Sequence, residues 1–276
     1  MQIPVNMNIG IREIRQLTGL LKETHGVDYT DYALTSFKRR VERLMSVHNC
    51  NFDTLLEKLE SKAFLEHFTA QMAVGATELF RDPTFWVLLK NTYLANIFKE
   101  QSKVCIWLPM CASGEEFYSL AILLKEYGWT QRTEIYLSSL SNENLEKIQK
   151  GWMEYDNLEI SIKNYARFQG TSQLSDYFVI SESDVVFDHT LFANTHFFKQ
   201  EFDFSNNLPD MHLILFRNQL IYFNPSLQYR VCDILHDKLA AKGLLALGIL
   251  ERIDQNINNG YVALNKEESL YQKKSK

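Results

Sequence analysis

Apolar positions follow two different spacings along the chain, and the change comes near residue 103. Over residues 1–74 they recur every three or four positions, which is typical of amphipathic helices. The stripes comprise Ile14, Leu17 and Leu21, then Leu34, Phe37, Val41 and Leu44, then Phe52, Leu55, Leu56 and Leu59. Asn51 and Asp53 flank the start of the third stripe in the manner of a helix cap. The pattern predicts a small N-terminal domain made only of helices.

A longer helix is predicted between this domain and the rest of the chain. Asp82 and Pro83 form a helix-start signal, because proline fits the first helical position, where its missing N–H is not needed. The apolar residues that then share one face are Phe85, Leu88, Leu89 and Tyr93. We expect a linker helix within residues 75–102.

From residue 103 onward, short continuous apolar runs alternate with amphipathic helices. The runs cover residues 103–108, 134–140, 184–187, 211–216 and 244–250, and two shorter ones at 261–264 and 269–272 fit a closing hairpin. The intervening helices are expected at 115–127, from 142 onward and at 227–241. This alternation indicates an α/β domain over 103–276, built on a parallel sheet covered on both faces. Residues 152–183 fit the alternation badly and are predicted to be an inserted subdomain.

Composition and charge exclude several classes of protein. Hydrophobic residues make up 46% of the 276 residues and charged residues 23%, which argues against a disordered or fibrous chain. The formal net charge of −5 argues against a protein that mainly binds nucleic acid. No apolar run approaches the roughly 18 residues that span a bilayer, and the N-terminus does not resemble a signal peptide. The four widely spaced cysteines fit free thiols better than disulfides or a metal site, so a cytoplasmic location is expected.

The first candidate site is the loop after the first predicted strand, PMCASGEE at 109–116. In an open α/β sheet, ligands bind beyond the carboxyl ends of the strands, near the point where strand order reverses. Gly114, Glu115 and Glu116 open the next helix, where acidic side chains complement the positive end of the helix dipole. Taken by itself, the loop also fits a plain strand-to-helix turn.

Two other segments carry polar residues where a ligand site is expected. Arg81 lies at the junction of the helical and α/β parts, although a lone arginine there also fits an interdomain ion pair. Arg217, Asn218 and Tyr222 follow the apolar run at 211–216 and therefore lie at the carboxyl end of a central strand. Taken alone, Tyr222 fits a core aromatic residue equally well.

These segments together resemble a known family. In this order and at these spacings, TELFR at 77–81, SGEEFYSLA at 113–121 and FRNQLIYF at 216–223 are similar to the CheR-type chemoreceptor methyltransferases. SFKRRVERLM at 36–45 and GLLALGILE at 243–251 extend the resemblance. It implies a Rossmann-like class I methyltransferase sheet, mostly parallel, with seven strands, a final antiparallel hairpin and an inserted β-subdomain. It also implies methyl transfer from S-adenosylmethionine (SAM) to glutamate side chains of bacterial chemoreceptors.

The resemblance assigns roles to matching residues. The implied cofactor contacts are Thr77, Gly114, Glu115, Arg217 and Asn218. Arg81 and Tyr222 would lie beside the transferred methyl group and position the substrate carboxylate for in-line attack. An ionised glutamate is already nucleophilic, so alignment supplies most of the acceleration. Arg39, Arg40 and Arg43 on the basic helix are expected to meet an acidic partner region, although they also fit an ordinary solvated face.

Several positions depart from the family pattern, and they cluster at the cofactor site. Met110 stands where the family has a glycine, and Ser139 where it has an acidic residue that holds the ribose diol. Gly75 and Thr190 are aligned with asparagines, and His212 with an aspartate. A hydrogen bond to a charged group is worth roughly 1.5–3 kcal/mol, so loss of the acid alone predicts about ten- to a hundred-fold weaker binding.

Two functional hypotheses follow. In the first, the protein has lost or weakened SAM binding and acts as a non-catalytic binding or regulatory module in a chemotaxis-like pathway. In the second, it is an active methyltransferase with a rearranged pocket, in which Met110 turns aside and serines replace the carboxylate. The expected ligands are SAM and S-adenosylhomocysteine, and the expected partner is a chemoreceptor or another signalling protein. Nucleic-acid methylation is disfavoured, because the sequence shows no basic groove or run of stacking aromatics.

Overall fold

The N-terminal part of the chain consists of helices. A computed structural model describes residues 8–73, 78–181, 184–254 and 260–274. The helices are α1 Ile11–His25, α2 Leu34–Val47, α3 Phe52–Leu59 and α4 Lys62–Met72. Their apolar faces meet in one core, in which Leu17, Val41 and Leu55 are fully buried. The Asn51 side chain accepts a hydrogen bond from the Thr54 N–H, so the predicted cap of α3 is confirmed.

A continuous helical segment leads from this domain to the sheet. It comprises α5 Pro83–Leu88, a π-helical turn Leu89–Leu94 and α6 Ala95–Glu100. Pro83 occupies the first turn and Asp82 the N-cap position, which confirms the predicted start.

The rest of the described chain alternates strands and helices. The strands are β1 Val104–Leu108, β2 Thr133–Ser139, β3 Trp152–Glu154, β4 Phe178–Ser181, β5 Asp184–Phe187, β6 Thr195–Lys199, β7 Met211–Leu215, β8 Leu239–Ala246, β9 Tyr261–Asn265 and β10 Leu270–Lys273. The longer helices are α7 Glu115–Glu126, α8 Asn142–Gln149, α9 Leu158–Phe168 and α10 Pro225–Lys238.

Seven strands form one sheet in the order β6-β2-β1-β7-β8-β10-β9. Its first five strands are parallel, whereas β10 runs antiparallel to both β8 and β9. The expected fold class, with its final antiparallel hairpin and its all-helical N-terminal domain, is therefore confirmed. The chain runs outward from β1 to β2 and β6, then crosses to β7 on the other side. The carboxyl ends of β1 and β7 therefore form the switch point at which a ligand cleft is expected.

The apolar run at 184–187 is not part of this sheet, contrary to the prediction. It forms β5, the central strand of a separate antiparallel sheet in the order β3-β5-β4. Its place in the large sheet is taken by β6, an edge strand without a continuous apolar run. The insertion therefore extends past residue 183, and it contains helix α9 as well as strands.

The boundary after α10 also differs from its prediction. The helix ends at Lys238 rather than 241, and β8 begins at Leu239 rather than 244. The early part of β8 is only partly buried, so it lacks the regular apolar pattern of a buried strand. The register of β8 against β7 shifts between Met211 and Leu213. No helix of the described segments combines the length and apolarity needed to cross a membrane. All four cysteines are free thiols.

Candidate functional site

A narrow cleft opens at the carboxyl ends of β1 and β7, and we call it the switch-point cleft. Three segments that the sequence singles out meet there. Arg81 comes from the loop before α5, Gly114 from the loop before α7, and Arg217 and Asn218 from the loop after β7. The fold thus brings together residues that lie more than a hundred positions apart, because parallel strands present their carboxyl ends at one edge.

Arg217 is the buried centre of the switch-point cleft. One guanidinium nitrogen lies 2.6 Å from the Asp82 carboxylate and the other lies 3.2 Å from Glu116. The guanidinium also stacks on the Phe85 ring, with its carbon 4.1 Å from the ring centroid. Its Nε donor has no hydrogen-bond partner among the described residues. Arg217 therefore ties three segments together, and within the described chain its buried Nε is left without a protein partner.

Strained backbone surrounds this arginine. Phe80, Asp82, Met110 and Asn218 all have left-handed φ angles between 49° and 59°. For residues other than glycine this conformation costs roughly 1–2 kcal/mol each, and such strain persists only where the surroundings fix it. The Phe80 N–H, for example, donates to the Ser119 hydroxyl of α7 at 2.8 Å. The loops of the cleft are therefore held in place rather than free.

Glu251, the last residue of the segment at 243–251, holds these loops in place, although it is not among the predicted site residues. Its buried carboxylate accepts hydrogen bonds from the Gly248 N–H at 2.6 Å, the Asn218 N–H at 2.8 Å and the Ile221 N–H at 3.2 Å. Burial raises the pKa of this carboxyl, and the backbone donors oppose the rise. Glu251 thus connects the loop after β7 to the loop after β8 through hydrogen bonds to both. The one sequence signal is a lone acidic residue after an apolar strand.

Gly114 is required by both conformation and space. Its φ is +90°, and a Cβ there would lie 3.0 Å from ring atoms of Tyr118. The Tyr118 ring cannot easily move aside, because it stacks on Phe187 with centroids 4.2 Å apart. The glycine therefore lets the loop approach helix α7 closely at the cleft wall.

Gly114→Ala is expected to lower the free energy of unfolding by about 2 kcal/mol, from left-handed strain and crowding against Tyr118. Urea denaturation measures this change. Gly19→Ala is the matched control, because Gly19 lies inside α1 with nothing within 4 Å of an added Cβ. That control should gain about 0.5–1 kcal/mol from reduced backbone entropy of the unfolded chain. Equal effects of the two substitutions would contradict the interpretation.

Glu116, rather than Glu115, lines the switch-point cleft. Consecutive helical residues point about 100° apart, so only one of the two can face the ligand. The Glu115 carboxylate instead accepts a hydrogen bond from the Ser113 hydroxyl and is buried. Burial raises the pKa of Glu115 to about 7. The predicted contact of Glu115 with a cofactor is therefore not supported by its position.

Beyond the switch-point cleft lies a second, wider cleft, which we call the outer cleft. It lies between the helical domain, the loop after β6 and α10. Met110 and Leu140 line it together with Phe204, and carboxylates come from Glu201 and Asp203. Met110 is nearly buried at 7% exposure, while its neighbours line the switch-point cleft. The loop after β1 therefore lines both clefts, and its Met110 side chain lies in the outer cleft.

Ser139 ends β2 and lines neither cleft. It is fully buried, and its hydroxyl accepts from the Ser141 N–H at 3.4 Å. The Ser139 hydroxyl therefore does not reach either cleft, where a longer carboxylate side chain would meet a ribose.

The other departures lie elsewhere. Thr190 precedes β6, at the amino end of the strands, where it contacts Asp188 and Lys125 on the surface. Its alignment beside the cofactor is wrong, because ligand residues in this sheet follow the carboxyl ends. His212 lies at the start of β7, and its Nδ1 accepts the Cys105 N–H at 3.0 Å, so it serves strand pairing. Gly75 and Thr77 lie outside the described residues.

Tyr222 contacts the helical domain and does not line the switch-point cleft. The Arg40 guanidinium lies over its ring, 4.3 Å from the centroid. Arg40 is therefore not fully solvated. This corrects the interpretation that Arg39, Arg40 and Arg43 together form an ordinary solvated face. On the helix it lies beside the apolar stripe of Phe37, Val41 and Leu44, whereas Arg39 and Arg43 lie on the opposite side and are exposed.

The family comparison agrees with this geometry. The SAM-binding domain of the CheR methyltransferases matches residues 75–268, and the all-alpha domain of the same family matches residues 12–72. The chain belongs to the CheR methyltransferase family.

Individual CheR relatives are similar over most of their length. A Pseudomonas putida protein named Cher3 is 27% identical over 244 residues, which cover 88% of this chain and 89% of that protein. A chemotaxis protein methyltransferase of Borreliella burgdorferi is 24% identical over 272 residues, 94% of each chain. The solved structure of magnesium protoporphyrin IX methyltransferase from Synechocystis PCC 6803 with bound S-adenosylhomocysteine covers 81% of this chain and 100% of its own, with 10% identity and a TM-score of 0.38.

SAM is the cofactor of this CheR domain, and the residues present fit one end of it better than the other. At the switch-point cleft Arg81, Gly114 and Arg217 line the wall, and the two guanidinium groups supply positive charge there. At the end of β2, Ser139 occupies the position where the family resemblance implies a ribose-binding acid, and its side chain is buried. When bound, SAM would supply an electrophilic methyl group. Arg217 would hold Asp82 and Glu116 in place beside the ligand, and Arg81 would contribute positive charge beside Glu116.

Proposed function

We propose that this CheR-family protein is a non-catalytic binding or regulatory module of a chemotaxis-like pathway, with weakened SAM binding. The observation that carries the proposal is the environment of Ser139, which is fully buried and lines neither cleft. The ribose diol would have no acceptor from β2, at a cost of about ten- to a hundred-fold in affinity. Met110 adds a long side chain where the family carries none.

The proposed partner is a chemoreceptor or another signalling protein that presents an acidic segment. Arg39 and Arg43 are exposed on α2, and opposite charges on two partners steer association. The chemotaxis methyltransferases among the relatives support a partner of this class.

One observation favours the second candidate, an active methyltransferase of receptor glutamates with a rearranged pocket. β6 pairs with β2, and the Gln200 N–H donates to the Ser139 carbonyl at 2.6 Å. Glu201 follows directly and lines the outer cleft. A carboxylate from the neighbouring strand therefore lies at the edge where the family acid would be, and it offers the ribose an alternative acceptor.

Calorimetric titration with S-adenosylhomocysteine tests the proposal. The unmodified protein is expected to bind about ten- to a hundred-fold more weakly than a Met110→Gly/Ser139→Asp double variant. Relief of the left-handed strain at Met110 and a restored acceptor both contribute to the gain. Thr190→Asn is the matched control, because it restores another family residue at the wrong end of the sheet and should change nothing.

Two results would contradict the proposed non-catalytic role. Micromolar binding by the unmodified protein, lost on Glu201→Gln, would establish the second candidate instead. Time-dependent transfer of radiolabelled methyl from SAM to a receptor fragment would likewise exclude a non-catalytic role.

A further inference from the structure

Helix α2 contacts the loop that carries Tyr222. The Arg40 guanidinium stacks on the Tyr222 ring at 4.3 Å and also donates to the Met72 carbonyl at the end of α4. A cation above an aromatic ring is attracted electrostatically to the face of the ring, and the attraction is stronger where water is partly excluded. Arg40 is partly buried, and burial lowers the pKa of its guanidinium from the ordinary value. This one side chain therefore links two helices of the N-terminal domain to the loop after β7.

The backbone beside Tyr222 is fixed by the same domain. The Ala33 N–H donates to the Tyr222 carbonyl at 2.7 Å, and the Asn224 N–H donates to the Asp31 carbonyl at 2.9 Å. Tyr32 and Phe223 form the bridge between these bonds, with ring centroids 5.1 Å apart. Because the main chain is held on both sides of Tyr222, the remaining freedom belongs to its ring, which Arg40 covers.

The same helix exposes two arginines on its other side. Arg39 precedes Arg40 directly, and Arg43 lies one turn further along. A helix in a packed domain responds as a unit, because close-packed interiors transmit strain. A ligand that binds the exposed side can therefore alter the contact on the covered side, and the coupling must be reciprocal.

We propose that Arg40 is a positioning residue that fixes the Tyr222 ring, so that an acidic segment bound at Arg39 and Arg43 acts on Tyr222 through helix α2. The partner in this inference rests on the proposed function, whereas the contact between Arg40 and Tyr222 does not. The helical domain thus fixes the loop after β7 in addition to recruiting a partner.

Nuclear magnetic resonance of the full chain with ¹³C-labelled tyrosine rings tests the positioning role. Tyr222→Phe identifies the Tyr222 signals by their disappearance. Arg40→Gln is expected to shift those signals, because the cation over the ring is removed. Arg15→Gln, an equal charge change on an exposed position of α1, should leave them unchanged. If Arg40→Gln does not fold, Arg40→Lys provides a second variant, which removes the planar group but retains the charge.

Addition of a decaglutamate peptide tests the coupling. The Tyr222 signals of the unmodified protein are expected to move as the peptide binds, and those of Arg40→Gln to stay in place. Unchanged Tyr222 signals in both Arg40 variants would overturn the positioning role. Peptide binding by calorimetry without movement of Tyr222 would overturn the coupling. Absence of peptide binding would count against the proposed partner and against the coupling, while the comparison without peptide still decides the role of Arg40.

Discussion

Arg217→Ala is expected to lower the free energy of unfolding by about 3–5 kcal/mol, because removing one partner of a buried ion pair leaves the other uncompensated. Two carboxylates are affected here, since Asp82 and Glu116 both pair with this guanidinium. The stacking on Phe85 is lost as well. Equilibrium unfolding in urea measures the change through the transition midpoint at constant slope.

Two variants make this experiment specific. Arg217→Lys keeps the charge but cannot reach both carboxylates with a planar fork, so an intermediate loss is expected. Arg15→Ala removes an exposed arginine of α1 and should change stability by less than about 0.5 kcal/mol. A loss for Arg217→Ala as small as that of Arg15→Ala would show that the carboxylates are not held by this pair.

Glu115→Gln is expected to stabilise the protein at high pH and not at low pH. The pKa of Glu115 is raised from 4.5 to about 7 by burial, so the folded state binds its proton more tightly than the unfolded chain. Stability from this group is therefore fully present below about pH 4.5 and is lost as the pH rises through 7. The shift corresponds to about 3 kcal/mol. The glutamine variant has no charge to bury and avoids this loss.

The measurement is the stability difference between Glu115→Gln and the unmodified protein from pH 4 to pH 9. The difference should grow by about 3 kcal/mol in favour of the variant across this range. Glu57→Gln, which removes a carboxylate from an exposed position of α3, is the control and should not reproduce this gain. A pH-independent difference for Glu115→Gln would mean that Glu115 is solvated in the folded protein.

These two predictions concern neighbours in one loop system, and they show how the site is built. Arg217, Asp82 and Glu116 form a charged centre inside a shell of strained loops. Glu115, one residue from Glu116, faces the inserted subdomain and carries an unfavourable buried carboxyl. The site therefore combines strong internal pairing with local strain, as expected where geometry is held for binding.

The sequence by itself determined the class of the fold and the segments of the site. Helical spacing, the cap at Asn51 and the start at Pro83 are local signals, so the N-terminal helices and the linker helix could be predicted from neighbouring residues. The motifs containing Arg81, Gly114 and Arg217 were sufficient to identify one cleft, because the topology of a parallel sheet brings such loops to one edge.

Only the tertiary structure decided which side chains face the cleft and which strands pair. The run at 184–187 has the pattern of a buried strand, but it pairs with β4 directly before it and with the more distant β3 rather than with the large sheet. The contacts of Arg40 with Tyr222, of Glu251 with the loop after β7 and of Gln200 with Ser139 join segments far apart in the chain. Periodicity records burial and not the identity of the covering residue, so these contacts leave no local signal.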